Sequence, residues 1–347
     1  MKVLFFGLGG IGQRHLRNLK KIQPDIQVAA FRNKGRTFEI GNDLRPDYNS
    51  DIVSKYNIST FEEFEDAMKY EPDFAVVSNP TSLHVSTAKQ LVMNEIPVFM
   101  EKPISDCVDG LDQLLQMSKE KKVPVMIGYM MRFHPCAIKL KEMIDEMRIG
   151  KIFSVHVMIN SYMPGWHSYE KYNEFYAGMK SLGGGVVLTE IHEQDLIYWY
   201  FGKPDRLWAV GGKLSNLNID VEDTVGILLE QKFLGYKFPV SLNISFVQKY
   251  PLRKILILGE HGKIEWDIIR SEIEVEDLTH NSRETYKNTN FDRNSLFISE
   301  MRHFVECLST TKDPITSLEK VIDGHLIALK IKESLNKDIV SSIDSLL

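Results

Sequence analysis

The 347 residues exceed what a single hydrophobic core usually serves, so about two domains are expected. With 43% apolar and 26% charged residues, no low-complexity tract and no repeat at solenoid period, the composition is that of an ordinary soluble globular protein. A net charge of -5 argues against nucleic acid as the main partner, and no apolar run approaches the ~20 residues needed to cross a bilayer. The chain begins directly with strand-like sequence instead of a signal peptide, so a cytoplasmic protein without membrane contact is expected. Cys107, Cys136 and Cys307 are far apart and odd in number, which suggests neither a disulfide framework nor a metal site; they read as small buried or half-buried hydrophobes.

Lys2 to Gly12 (KVLFFGLGGIG) opens with an unbroken apolar run, as in a parallel strand buried on both faces, followed by Gly7, Gly9 and Gly12 in GxGxxG spacing with Gly10 and Ile11 between them. Ile11, Leu16, Leu19 and Ile22 then form an apolar helical stripe, and Arg14, Arg17, Lys20 and Lys21 read as its wet face. In a strand, turn, helix context the glycines have tasks: a sharp turn at Gly7, close approach of a pyrophosphate at Gly9, tight helix packing at Gly12.

Gln27 to Phe31 reads as the second strand. About 20 residues past the last glycine, where a carboxylate would bind the ribose 2'-hydroxyl of NAD, stands Arg32, followed by Lys34 and Arg36. That charge suits a 2'-phosphate and favours NADP(H) while leaving NAD(H) possible; a solvated basic turn is the plain alternative.

Leu44 to Thr60 reads as a polar loop ending in a short strand near Tyr56 to Ile58, and Phe61 to Met68 as a helix. Asp73 to Ser78 is a buried-type strand broken by Asn79-Pro80-Thr81, at the carboxyl end where doubly wound sheets hold ligands. A helix from His84 to Asn94, a strand from Pro97 to Met100 running into Glu101-Lys102-Pro103, a helix from Cys107 to Lys121 and a strand from Pro124 to Gly128 complete a Rossmann-type α/β domain over residues 1–128.

Residues 129–347 have another texture. Alternating segments at Ile152 to Ile159, Val225 to Leu229, Val240 to Val247 and Lys254 to Leu258 predict a large, mainly antiparallel sheet. Helices are expected near Ala137 to Met147, Glu190 to Tyr200, Phe297 to Leu308 and Leu318 to Leu335, giving an α+β domain for substrate binding and oligomerisation. One face of that sheet is free to meet a second copy, so a homodimer or homotetramer is expected.

The glycine motif together with NPTSLH (Asn79 to His84), EKPIS (Glu101 to Ser105), GYMMRFHP (Gly128 to Pro135), GGGVVLTEIHEQD (Gly183 to Asp195) and RKILILGEHGKIEWD (Arg253 to Asp267) resembles the Gfo/Idh/MocA family over essentially the whole chain. These are relatives of glucose-fructose oxidoreductase and inositol dehydrogenase, and the GGGVxLDxxHExD form is most similar to members linked to bacterial surface-sugar biosynthesis. The resemblance implies a nicotinamide-dependent oxidoreductase acting on sugars or polyols, with Lys102 and His192 at the family's lysine and histidine positions and no metal. Thr189 stands where the family usually carries aspartate.

Physically, a lysine after a strand of the sheet reaches a nicotinamide ring and can exchange the hydroxyl proton, although position alone leaves a surface lysine equally open. His192 titrates near working pH, and Asp195, three residues on, shares its helix side and is a candidate to orient the imidazole or a structural acid. Thr189 can bond a substrate hydroxyl but cannot act as a base, so either Lys102 and His192 suffice, or Glu190 substitutes, or catalysis is impaired. Asn79, Pro80, Thr81, His84 and Glu101 are candidate cofactor contacts, and Arg132 and His134 candidates for cofactor or substrate. Tyr162, Trp166, His167, Tyr172 and Tyr176 suit sugar rings or an interface. A redox-neutral epimerase or eliminase with recycled cofactor competes with net oxidation, as does a non-catalytic sensor, for which Thr189 is the motive.

Overall fold

The computed structural model describes residues 1–32, 36–310 and 312–343. The first sheet contains β1 (Lys2–Phe6) and β2 (Gln27–Phe31); a hairpin of β3 (Phe38–Ile40) and β4 (Pro46–Asp51) lies beside it; β5 (Ser59–Phe61), β6 (Phe74–Val77), β7 (Val98–Met100) and β8 (Val125–Ile127) complete it. Its order is β5-β2-β1-β6-β7-β8, all parallel, which counted within this sheet is the 3-2-1-4-5-6 order of dinucleotide-binding domains. The order reverses between β1 and β6, so a crevice opens there at the carboxyl ends.

Both faces of this sheet are covered, which explains its unbroken apolar strands. Leu16 and Leu19 of the helix Gly10–Ile22 pack on one face, while Ala88 and Leu91 of His84–Met93 and Leu114 of Leu111–Lys121 belong to the core on the other. The first face is completed from far along the chain. Phe304, on the helix Asn294–Thr310, sets its ring edge-on to Phe74 and Phe99 at 5.6 and 5.7 Å. Sequence periodicity placed that helix beyond residue 128, in the second domain; its apolar face lies in the first core.

The second sheet comprises β9 (Ile152–Tyr162), β10 (Pro204–Gly212), β11 (Thr224–Phe233), β12 (Tyr236–Ser245), β13 (Val247–Gly259), β14 (Gly262–Asp267), β15 (Glu272–Asp277), β16 (Ser282–Lys287) and β17 (Ser341–Ser342), in the order β16-β15-β14-β13-β9-β12-β11-β10-β17. Only β9 and β12 run parallel. Val155, Val157 and Ile159 point into a core shared with the helices His192–Phe201 and Leu318–Lys337. Trp208, Leu228, Ser241, His156 and Leu256 stand opposite one another along a row of the other face, where Trp208 and Leu228 are exposed.

Two local expectations change. The stretch read as a polar loop, Leu44 to Thr60, forms β4, which pairs with the preceding β3, and a helix, Ile52–Tyr56, because the Asp51 side chain accepts the Ser54 N–H at 2.7 Å and caps it. The strand expected near Tyr56 to Ile58 accordingly begins only at Ser59. Cys107 is exposed, unlike Cys136 and Cys307, since its segment precedes the helix that starts at Leu111. No helix among the described residues is long and apolar enough to cross a membrane.

Candidate active site

The glycine loop fits a dinucleotide. Gly7 has φ +99°, and a Cβ there would lie 2.6 Å from the Ser78 carbonyl oxygen. A Cβ on Gly12 would meet the Gly7 carbonyl at 2.4 Å, whereas one on Gly9 would meet nothing within 4 Å. Gly9 precedes the helix Gly10–Ile22, and no side chain among the described residues caps the first N–H groups of that helix. This is the cradle a pyrophosphate requires.

A cavity of about 630 Å³ extends from this loop between the two domains. Ser78, Asn79, Pro80, Thr81, His84, Glu101 and Lys102, from the ends of β6 and β7, line one side; Trp166, Tyr176, Thr189, Glu190 and His192 of the second domain line the other. The segment carrying Trp166 and Tyr176 also straps the glycine loop. A Cβ on Gly10 would lie 2.6 Å from the Tyr169 hydroxyl, the Arg36 guanidinium lies 5.2 Å from the Tyr169 ring centre, and Arg36 pairs with Glu170, which His167 also contacts at 3.0 Å. Arg32 donates to the Arg36 carbonyl at 2.7 Å, and only Arg36 of the two faces the cavity. Lys34 lies outside the described residues.

Lys102 Nζ donates to the Thr189 main-chain carbonyl at 2.7 Å. The residue that replaces the family aspartate therefore holds the lysine through its backbone, and the substitution does not release it. Thr189 Oγ1 is buried without a partner among the described residues, and the Glu190 carboxylate, which accepts from Ser161 Oγ at 3.0 Å, faces the same cavity. Desolvation pulls the Lys102 pKa below the usual lysine value, with Arg253 and Arg293 acting in the same direction against Glu101 and Glu190. His192 is 6% exposed, its Nδ1 has no partner among the described residues, and burial, then Lys102, Arg253 and Arg293, push its pKa well below the ordinary histidine range, so it is neutral near pH 7.

Glu101 lies behind Lys102, its Oε1 2.6 Å from His15 Nε2; desolvation works against its charge, yet that hydrogen bond keeps its carboxyl below the ordinary range. Glu300 is buried beside them with neither oxygen bonded among the described residues, and burial followed by the Glu101 charge raises its pKa well above the carboxylate range. Ligand atoms of the three fall within 4.8 Å of one another. A carboxyl kept neutral is a poor cation ligand. His84 bridges the Pro103 and Asn79 carbonyls at 2.8 and 2.9 Å and so fixes the two ligand loops together.

Sequence residues 1–129 match the family model described as "Oxidoreductase family, NAD-binding Rossmann fold", and residues 137–265 match the GFO/IDH/MocA C-terminal domain. The chain belongs to the Gfo/Idh/MocA oxidoreductase family. Among curated relatives, it is 28% identical over 205 residues to a 2,7-anhydro-N-acetylneuraminate hydratase of Escherichia coli (strain K12), a match covering 56% of this chain and 52% of that protein. The chain thus spans about half the length of that relative. It is 24% identical to the myo-inositol 2-dehydrogenase of Thermotoga maritima, covering 97% of each. An oxidoreductase from Agrobacterium radiobacter, solved with NAD+, L-tartaric acid and magnesium, superposes with a TM-score of 0.80 at 16% identity over 100% of this chain and 99% of that one, a likeness of fold.

Within this Gfo/Idh/MocA frame, several candidate residues stand elsewhere than sequence reasoning put them. Asp195 does not orient His192: Arg132 grips it bidentately, with Nε and Nη2 at 2.8 and 2.7 Å from its two oxygens, both side chains are buried, and neither lines the cavity. Arg132 is therefore not at the substrate wall. His134 is buried at a helix start, accepting from Cys136 N at 3.0 Å. Tyr162 and Tyr172 lie off the cavity, whereas Trp166, His167 and Tyr176 line it.

Arg14, Tyr169, Arg253 and Arg293 line the cavity although sequence reasoning did not place them there. Arg14 looked like part of a wet helix face; instead its guanidinium sits 4.8 Å from the Phe297 ring centre, above the groove. The signals for Arg253 and Arg293 were weak, one basic residue opening an alternating strand and one in a polar loop.

Proposed function

We propose that this protein transfers hydride between a nicotinamide cofactor and a hydroxyl-bearing carbon of a sugar, sugar acid or nucleotide-linked sugar, with Lys102 and His192 handling the proton. The observation that carries this reading is that Lys102 from the edge of the Rossmann sheet and His192 from the second domain face one cavity that is continuous with the glycine cradle. Gly7, Gly9, Gly12, Asn79 and Pro80 would hold the dinucleotide, which when bound supplies or accepts the hydride.

The protein's own part is proton transfer and orientation. With its pKa lowered by burial, the Lys102 amine takes the hydroxyl proton as the carbon gives up hydride, so that an alcohol becomes a carbonyl, one reduced cofactor and one proton; in reverse the ammonium donates to the carbonyl oxygen. His192, held neutral, fixes the reacting oxygen from the other side. Thr189 Oγ1 and Glu190 offer further bonds to hydroxyls, and Trp166 an apolar face for a ring.

Arg36, on the cavity wall, and Arg32, which supports its loop, favour NADP(H) over NAD(H). The exposed Trp208 and Leu228 on the open face of the second sheet favour a homo-oligomer formed through that face. A cytoplasmic location accords with a nicotinamide enzyme. The test is a fluorescence titration with NADPH and NADH, followed by a sugar and sugar-acid screen read at the reduced-cofactor absorbance. Net cofactor turnover with one sugar class is expected. Binding of neither cofactor form would sink the reading, and tighter NADH binding would sink the NADP(H) preference.

A second reading is redox-neutral chemistry, favoured by the hydratase name of the E. coli relative. In that case substrate is consumed while no reduced cofactor accumulates.

A further inference from the structure

Behind Lys102 lies a buried acid that the proposed chemistry leaves unused. The helix Asn294–Thr310 returns to the first sheet, and Phe297, Glu300 and Phe304 share one of its faces at spacings of three and four residues. Phe304 stands edge-on to Phe99 of β7, and the His15 ring stands edge-on to Phe99 and Phe297 at 5.0 and 6.0 Å. Glu300 is thereby delivered under the end of β7, where Glu101 follows. Glu300 and His15 are 0% exposed and Glu101 6%, and ligand atoms of the three lie within 4.8 Å of one another. Glu101 lines the cavity, and Glu300 and His15 stand behind it.

Two carboxylates this close and this dry do not ionise together unless a cation separates them. The proton they require has three seats. On His15 it would occupy Nδ1, and that N–H would need an acceptor, but Nδ1 has no partner among the described residues. Glu101 accepts with both oxygens, from His15 Nε2 at 2.6 Å and from the Lys102 main-chain N–H at 3.1 Å, as an anion does. Glu300 remains, and neither of its oxygens is bonded among the described residues. Burial, then the Glu101 charge, act in the same sense on its carboxyl. Packing alone does not call for such a group, because an apolar side chain of similar volume fills the space without the desolvation cost.

We infer that Glu300 is a positioning residue for the reaction: as a neutral acid it donates to the Glu101 carboxylate, directly or through one bridging water, and keeps Glu101 an anion under Lys102. This rests on the proposed function for the role of Lys102. Glu101 anchors the Lys102 main chain, and with Glu190 it favours the ammonium form, against burial first and then Arg253 and Arg293. Carbonyl reduction needs that ammonium. The groups facing the acid pair are His15 and Arg14 of the first helix and Lys102 at the end of β7, and His192 feels the Lys102 charge from the second domain. With Glu300 removed, Glu101 loses a donor and takes up a proton at higher pH than before. Protonated Glu101 no longer balances Lys102, so reduction is lost as pH falls.

The experiment compares wild type with Glu300→Gln, which keeps a neutral donor, and Glu300→Leu, which keeps the volume. The first readout is the infrared difference spectrum of each variant against wild type, all saturated with NADPH. The carbonyl band of a protonated carboxyl should be present in wild type and missing from both variants. The second is the pH profile of kcat for carbonyl reduction between about pH 5.5 and 8, with an inosose and a ketohexose as probes. Wild type should show no decline toward acid. Glu300→Leu should decline about three- to tenfold from about pH 8 to about pH 6 with KM changed less than about twofold, and Glu300→Gln should recover most of that loss. The urea midpoint of Glu300→Leu should be no lower than that of wild type.

A difference spectrum without that band overturns the inference, since Glu300 would then be ionised. Stoichiometric metal in purified wild type that Glu300→Gln loses also overturns it, because the three side chains would then form a cation site. A large fall in the urea midpoint of Glu300→Leu, or acid profiles alike in all three proteins, would make Glu300 a packing residue and overturn it as well. The two readings fail separately, because the infrared band and the metal content need no substrate. Turnover of neither probe by wild type would count against the oxidoreductase reading while the band decides the acid pair; turnover with no acid decline in Glu300→Leu would count against Glu300 alone.

Discussion

Arg132 and Arg293 are both arginines near the interdomain cavity, and the protein treats them in opposite ways: Arg132 is buried, whereas Arg293 is exposed. Arg132 finds both oxygens of Asp195 within 2.8 Å, and although burial works against it, that carboxylate leaves its pKa above the ordinary arginine value. Arg293 has no carboxylate partner among the described residues and its pKa is lowered. The first pair locks the crossover between the domains to the His192–Phe201 helix; the second group faces the cavity. A charge buried in the fold needs a partner there and belongs to its architecture, whereas an exposed charge on a cavity wall is met by water or by what the cavity binds.

That contrast is open to direct attack. On the cavity side, Lys102→Ala should lower turnover by about 10²- to 10⁴-fold with cofactor affinity retained, measured by steady-state kinetics and fluorescence titration. In the wild type the same lysine sets a pH dependence. Because its pKa is lowered, alcohol oxidation should rise with pH through an inflection below 10.5, and carbonyl reduction should fall through it. An oxidation rate flat between neutrality and high pH would remove Lys102 as the base.

On the architectural side, Asp195→Ala leaves a buried guanidinium unpaired and should cost about 3–5 kcal/mol in urea unfolding, while the NADPH Kd stays within about twofold. A stable Asp195→Ala variant with turnover reduced as severely as in Lys102→Ala would restore Asp195 to the chemistry. A smaller effect is expected at the far end of the groove. Arg36→Ala should reduce any preference for NADPH over NADH about tenfold, the loss of one phosphate contact, as read by titration with both forms. Least of all, Asp66→Ala, which breaks the exposed pair with Lys69 at 2.7 Å, should leave the urea midpoint unchanged within error, since water and salt already screen that pair.

The sequence by itself determined most of the parallel sheet and the glycine turn at its edge. Its strands are buried on both faces and therefore read as apolar runs, and Gly7, Gly9 and Gly12 meet requirements that are local to one turn. Lys102 and His192 were legible because each sits in a motif with a fixed relation to the element beside it. The strands β15 and β16 escaped notice because they are short and mix charges with apolar residues, as strands with one wet face do. Only the tertiary structure decided the rest. Periodicity reports which face of a helix is apolar but not which core receives it, so the return of Asn294–Thr310 to the first sheet was invisible. The same limit governs partners: whether Asp195 meets His192 three residues away or Arg132 sixty-three positions earlier, and whether Arg14 meets water or a cavity, depends on contacts that sequence separation does not encode.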